Sequence, residues 1–565
     1  MKVGLAARAA LAAWSVTAAT AAHAQARPPA GTAGNPLQAL PQIRTPQPSS
    51  NVTVQVQKQT SALEQLLATP IKPTRFQVAG VKSIPFDEVA KRFTPFAGKE
   101  VTIGQIVDAA NGVTQMYKSR GYALSFAFVP KQDFRDGVVK ITVVEGYVSD
   151  VKIHGDAGSL EPRIRAIAAH IAAERPLRQT TFQRYVNIFG LLPGVQVAAN
   201  VALPRNTNGA TTLDLTVTRK RVNVASGIDF NHPGLLAMLT ATENGLTPLG
   251  EQLSVSTIAP RGRDNVAYLA AHGMVPIGSD GLSVNVDASH YRSNPVDNPG
   301  LPSYVERTVI SDKLSAGLAY PFILENKRSL VGRASVYAAH DEDHYQNTIN
   351  SAMYGLRSQV RVLQLQADYT AVSTGEVRKA GVSVSKAFNI LGASKNVDTN
   401  IIGTSLNDPT SLTFVKTNAS YMQADDWPYG FGTVVAMTAQ YSPASLPTSE
   451  EIAFGAQHFA QGYEPGEASG DSGWGASIEL NHAFRLGHKW LQTVTPYVSF
   501  DMARVYLHAG TPLPSRLSSA SLGFRISDSK HYNLDLSVAK ALGDAPIESS
   551  SRSPRVNATF SYQLN

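Results

Sequence analysis

Cysteine is missing altogether from the 565 residues. Disulfide frameworks, thiolate metal sites and thiol nucleophiles are therefore excluded. Charge is also scarce, because Asp, Glu, Lys and Arg make up 16% of the chain against roughly a quarter in average soluble proteins. The 50 basic and 43 acidic residues leave a formal charge of +7 spread over the whole length. A polybasic segment for nucleic acid is absent, and no nucleic-acid partner is expected. Beyond the N-terminus no run reaches the ~18 consecutive apolar residues of a membrane-spanning helix. No G-x-x-x-x-G-K-[ST] occurs, so the sequence offers no phosphate-binding loop to drive work with a nucleotide.

What is present begins with an export signal. Lys2 and Arg8 precede an apolar run from Ala9 to Ala22, and Ala22-His23-Ala24 has the small-x-small form of a cleavage site. Residues 1–24 are expected to be a signal peptide, which places the mature chain outside the cytoplasm. Residues 25–72 read as a linker, rich in Pro, Gln, Ala and Ser over 27–50. A short helix is possible at 60–69, with Leu63, Leu66 and Leu67 on one face.

From residue 73 the pattern becomes α/β. A strand at TRFQVAGV, a short helix, a longer helix ending at Gly121, and strands ALSFAFVP and GVVKITVVEG give the order βααββ over 73–147. The same order returns over 148–222, with Pro162 at the start of its first helix. A repeated supersecondary unit points to two modules in tandem.

Helical periodicity stops near residue 223. Leu282, Val284, Val286 and Ala288 alternate with Ser283, Asn285, Asp287 and Ser289, and Leu363, Leu365, Ala367, Tyr369 and Ala371 with Gln364, Gln366, Asp368 and Thr370. Similar runs occur at 476–481 and 532–539, and the last alternates Val556, Ala558, Phe560, Tyr562 and Leu564 with polar partners. One apolar face and one uncharged polar face, repeated in segments of about ten residues, describe a transmembrane β-barrel with lipid outside and water inside. A soluble sandwich also alternates, but it has shorter strands and more lysine outside. The spacing of the runs over 223–565 suits twelve to eighteen strands and fits sixteen best. The C-terminal Leu564-Asn565 lacks the terminal aromatic of many such barrels, Tyr562 being the nearest substitute.

Three motifs then carry a resemblance. The first combines Gly121-Tyr122, Pro130, Gln132, Gly137 and Glu145-Gly146; the second is FAQGYEPGEASGDSGWG, with Gly462, Tyr463, Ser469, Gly470, Asp471 and Gly473; the third is TPYVSFDMARVY, with Asp501. Together they resemble the two-partner secretion outer-membrane transporters, the haemolysin secretion/activation proteins of TpsB type. The resemblance implies two periplasmic POTRA modules and a barrel of about sixteen antiparallel strands in outer-membrane lipid. It implies a monomeric pore for a secreted partner protein that the POTRA modules bind. It also implies a loop folded back into the lumen, whose tip arginine pairs with the wall aspartate at Asp501. Here Gln461 stands in the arginine's place. The expectation is a neutral amide hydrogen bond from Gln461 to Asp501, or service of Asp501 by Arg485 or Arg504. The rival is a barrel-assembly factor of the same superfamily, and a plain porin comes third.

Two decoys need separate readings. Gly470-Asp471-Ser472-Gly473 has the form of a serine-protease signature, with Ala271-His272 or Ala339-His340 as nominal partners. It lies inside the second motif, and catalysis is not expected. The run His340-Asp341-Glu342-Asp343-His344 offers metal-ligating types but reads as a solvated barrel turn. Neither a metal nor a cofactor is expected.

Overall fold

The computed structural model describes residues 67–565, apart from 135, 231–234, 296–300, 403–405, 457–458, 511, 513, 548–550 and 565, together with Ala24–Gln25. The signal peptide, and most of the linker with its short helix, lie outside the described residues.

The first module consists of β1 (Arg75–Ala79), α1 (Phe86–Ala90), α2 (Ile103–Ser119), β2 (Phe126–Phe128) and β3 (Val138–Val144). Helix α2 starts at a capping box, in which the Thr102 hydroxyl accepts from the Gln105 N–H and the Gln105 side chain accepts from the Thr102 N–H. It stops at Gly121, whose φ of +86° suits glycine. The Tyr122 N–H donates to the Tyr117 carbonyl and the Gly121 N–H to the Lys118 carbonyl, the two bonds of a Schellman stop. Between these ends Ile106, Ala110, Val113 and Tyr117 are buried against Val139, Ile141 and Val143 of β3. β3 is the centre of the sheet, parallel to β1 and antiparallel to β2.

The second module repeats the plan with β4 (Tyr147–Gly155), α3 (Glu161–Ala173), α4 (Gln179–Phe189), β5 (Val195–Val201) and β6 (Ala210–Arg219). β6 is central, parallel to β4 and antiparallel to β5. Its core joins Ile164, Ile167 and Ile171 of α3 to Leu213, Leu215 and Val217. The recurrence expected from the sequence is thus a recurrence of sheet order as well.

The barrel follows at once. Its strands are β7 (Val222–Asp229), β8 (Leu236–Asn244), β9 (Gln252–Arg261), β10 (Ala267–Ile277), β11 (Leu282–Ser293) and β12 (Val305–Leu324). Then come β13 (Arg328–Asn347), β14 (Met353–Ser373), β15 (Glu376–Ala387, resumed at Ser394–Thr399), β16 (Val415–Asp426) and β17 (Phe431–Tyr441). The wall ends with β18 (Ser472–His482, resumed at Phe484–His488), β19 (Leu491–Tyr506), β20 (Arg516–Ser527), β21 (Tyr532–Ala541) and β22 (Arg555–Leu564). Both parts of β15 pair with β14 and both parts of β18 with β19, so the ring has sixteen antiparallel strands. It closes where β7 meets β22, from Val224 opposite Leu564 to Asp229 opposite Thr559. Closure leaves no free edge in the bilayer, and each strand supplies its neighbour's hydrogen bonds.

The apolar set of each alternation faces out: Val286 is 46%, Ile478 55% and Val556 71% exposed. Two expectations need correction. The strands are not uniformly about ten residues long, because β12, β13 and β14 have 20, 20 and 21 residues. His340 to His344 therefore form no turn; they lie within β13. Asp341 and Asp343 point inward, both buried, while His340, Glu342 and His344 alternate with them. The ladder runs past the bilayer because its inner face stays covered: Ser449 of the long 442–471 connection donates to Asp341, and Leu446 packs in the cluster with Tyr337 and Val360.

Module two sits on the turns at the opposite end. The Arg184 guanidinium meets Asp280 at 3.1 Å and donates to the Pro321 carbonyl at 3.1 Å, and the Tyr320 hydroxyl donates to Asp280 at 2.6 Å. Burial opposes ionisation of Asp280, yet these donors hold its carboxyl below the usual aspartate range. Arg163 donates to the Gly278 carbonyl at 2.8 Å, and the His170 ring lies 2.8 Å from the Ser279 hydroxyl.

Candidate functional site: a lumen crossed by a folded-back loop

The first-module motif residues work on their own fold. Glu145 accepts from the N–H groups of Lys82 (2.8 Å) and Ser83 (2.7 Å), and from the hydroxyls of Ser83 (2.8 Å) and Tyr117 (2.8 Å). Burial opposes its charge, but these donors outweigh that and hold its carboxyl below the usual glutamate range. Burial, with Glu145 beside it, pushes the Tyr117 hydroxyl far up, so it remains a donor. Gln132 imitates a neighbouring strand: its amide accepts from the Lys140 N–H at 2.8 Å and donates to the Lys140 carbonyl at 2.9 Å, as well as to that of Pro130. Gly137 has φ of +66°, and a Cβ there would lie 2.7 Å from the Thr74 hydroxyl. Gly121 and Gly146 lie at the joint between modules, their carbonyls accepting from the N–H groups of Gln179 and Leu177. Tyr122 lies beneath the Arg178 guanidinium.

The second motif lies inside the barrel. The 442–471 connection folds back and makes a short ladder, Ile452–Phe454 against Ala468–Gly470, with Ala453 opposite Ser469. The segment between those strands rests on the wall formed by β19 to β22. Gly462 presses on β21 so closely that a Cβ would lie 2.6 Å from the Ala541 nitrogen and 2.7 Å from the Lys540 carbonyl carbon. The buried Tyr463 donates to the Asp544 carbonyl at 2.8 Å. Gly470 and Gly473 pack as tightly, with Cβ positions 2.6 Å from the Tyr506 oxygen and 2.8 Å from the Arg504 oxygen. Asp471, fully buried, accepts from the N–H groups of Leu446 (2.7 Å) and His508 (2.8 Å), tying both arms of the loop to the next connection.

Gln461 and Asp501 do meet, although not as expected. The Gln461 backbone N–H points at Asp501 Oδ2 at 3.4 Å, whereas its side-chain Oε1 is buried without a donor. The Ser519 hydroxyl donates to Asp501 Oδ1. The cations nominated for Asp501 do not serve it. Arg504 follows the outward parity of β19 and lies over the Tyr506 ring, and Arg485 lies in the exposed Phe484–His488 segment. Sequence reading missed what holds the loop instead: Arg555 of β22 pairs with Glu464, and the Asn557 amide donates to the Gln461 carbonyl at 3.0 Å. The signal was available, since Val556 on the lipid face puts Arg555 and Asn557 inside.

Chemically the arrangement is a barrel interior with polar side chains and a loop docked among them. At the protease-like tetrapeptide the Ser472 hydroxyl donates to the Ser442 carbonyl and accepts from the Ser442 N–H, and His508 Nε2 lies 2.7 Å from the Ser442 carbonyl oxygen.

Comparison with known proteins decides between the branches. Residues 71–146 match the POTRA domain of ShlB type, and residues 256–526 match the haemolysin secretion/activation protein family ShlB/FhaC/HecB. The chain belongs to this secretion family. The heme/hemopexin transporter protein HuxB of Haemophilus influenzae (strain 86-028NP) is 19% identical over 501 residues, 86% of this chain and 85% of its own. CdiB from Escherichia coli superposes with a TM-score of 0.65 at 18% identity, covering 90% of this chain and 93% of that one. BamA from Haemophilus ducreyi lacking POTRA domains 1–3 shares the fold at a TM-score of 0.53 and 13% identity, over 88% and 100% of the two chains. The assembly-factor alternative thus shares the architecture, while the family matches fall on the secretion branch. This secretion transporter is an outer-membrane pore that passes a partner protein outward, with its POTRA modules in the periplasm.

Proposed function

We propose that the two modules capture the partner while it is extended, and that it crosses the lumen as the 452–470 segment swings aside. The observation that carries this reading is the loop itself, docked inside the barrel and fixed to β22 and the connection before it by side-chain contacts rather than by the barrel ladder. Contacts of that kind break and reform without unzipping the wall. In module two, β4 and β5 each pair on one side only, with β6, among the described residues. An extended client strand can add to such an edge through backbone hydrogen bonds with little demand on its sequence. The pore is read as monomeric, non-catalytic and driven by folding of the partner outside.

Each module has a hydrophobic core of its own, with Leu324 of the barrel packed against that of module two, which makes them separable in an experiment. Deleting residues 74–221 is expected to leave a barrel that inserts, shown by heat-modifiable migration, and to abolish appearance of the partner in the medium. Release at wild-type levels by the deletion strain would refute capture by the modules.

A further inference from the structure

We propose that the loop is locked in the lumen by its own carboxylates held on cations of the wall, Glu464 on Arg555 at the tip and Glu450 on Lys416 at the stem. The polarity is the reverse of a loop cation on a wall acid, and the proposal rests on the reading of the loop as the plug.

Three observations carry it. First, the tip has no cation at position 461, and Asp501 has no ion pair among the described residues, its donors being the hydroxyl and N–H of Ser519 and the loop N–H groups of Ala460 and Gln461. Second, β22 turns Arg555 and Asn557 inward, two residues apart, onto Glu464 and the Gln461 carbonyl. With the loop docked the Arg555 side chain is only 14% exposed, and its Nε donates to Asn557 Oδ1 at 3.0 Å, a contact within the wall that does not need the loop. Third, the stem is pinned to a different part of the wall. Glu450 Oε2 lies 2.6 Å from Lys416 Nζ, its carboxylate accepts from the Tyr337 hydroxyl at 2.9 Å, and its carbonyl accepts from Gln440 at 2.9 Å. Tyr337, Lys416 and Gln440 belong to β13, β16 and β17, whereas Arg555 belongs to β22. The loop is therefore strapped across the lumen between two separate cationic anchors.

Reversing polarity preserves the attraction, since Coulomb energy depends on the product of the charges. It moves the permanently charged arginine to the rigid wall, where less side-chain freedom is lost on docking. The loop acids then become the groups that must let go.

The test uses the full chain in planar lipid bilayers, reading opening frequency. Glu464→Gln and Arg555→Gln are each expected to raise it roughly tenfold, the scale of losing one charge-assisted contact in a partly wet site. The reversed pair Glu464→Arg with Arg555→Glu should return it to within about threefold of the wild type, which a merely structural role for either residue would not do. Glu450→Gln should act in the same direction, and Arg504→Gln, on the outward parity, should leave the frequency unchanged. If removing residues 455–467 opens the pore while Glu464→Gln and Arg555→Gln gate like the wild type, the lock is refuted and the plug stands. A reversed pair that gates like the single variants also refutes the pairing. Unchanged conductance after removing 455–467 would overturn the plug reading, and the lock with it.

Discussion

Replacing Glu145 by alanine removes one acceptor from four donors at once. Two of these are the Lys82 and Ser83 N–H groups near the surface, which water can satisfy, but the Tyr117 hydroxyl belongs to a side chain with no exposed surface. A buried donor left unpaired costs ~1–3 kcal/mol, and hydrogen bonds to a charged group contribute ~1.5–3 kcal/mol each before solvent takes its share. With the exposed pair discounted, the loss comes to about 3 kcal/mol. A module of this size has on the order of 5 kcal/mol to lose. At a slope of ~1–1.5 kcal/mol per molar urea, the midpoint for unfolding the first module should fall by ~2–3 M. Pulsed trypsin digestion of the full-length protein in urea reads this directly, scoring cuts within 74–146 while the barrel persists. Glu145→Gln keeps an acceptor and should lose about half as much. The pH dependence has a definite sign. Because the folded-state value is lowered, the stabilisation is complete above the ordinary glutamate range and is lost as pH falls through the folded-state value. That acid sensitivity should vanish in Glu145→Gln. An alanine variant with the wild-type midpoint, or a glutamine variant with the full acid loss, would refute the reasoning.

Gly462→Ala forces a methyl group against backbone atoms of β21 that have no freedom to retreat. The overpacking should cost ~1–3 kcal/mol of docked loop, seen as roughly tenfold or more frequent channel opening with an intact barrel; wild-type gating would count against the docking geometry. Asp471→Asn leaves a carboxamide facing two N–H donors, and mass-spectrometric exchange should show faster labelling of the Leu446 and His508 amides, with unchanged rates as the adverse result. Arg184→Ala removes the ion pair from α4 to the β10–β11 turn and a carbonyl contact to Pro321 near the end of β12. Spin labels on module two and on the barrel should then report a broader distance distribution, and an unaltered one would show that the module is seated by other contacts.

Much of this was legible in the sequence because alternation is a local property. Leu363, Leu365 and Ala367 on one face and Gln364, Gln366 and Asp368 on the other specify both a strand and the side that meets lipid. The module repeat was legible for the same reason, since each core residue of α2 lies within a turn of the next. What alternation cannot convey is a partner. Arg555 and Glu464 meet only because the loop turns back through the lumen, and periodicity places Arg555 on the inner face without saying what it meets there. The lengths of β12 to β14 escaped for a related reason. Strands stop where their faces are no longer covered, and the cover on Tyr337, Asp341 and Val360 comes from the 442–451 arm of the distant loop. A glutamine at 461 predicts an amide contact from its side chain, whereas the contact it makes with Asp501 is through its backbone.

The most direct test of the central claim measures export itself. The secreted partner protein, expressed with and without this chain in the same outer membrane, should appear in the medium only when the transporter is present and should accumulate in the periplasm when it is absent. Equal amounts in the medium in both strains would contradict the account.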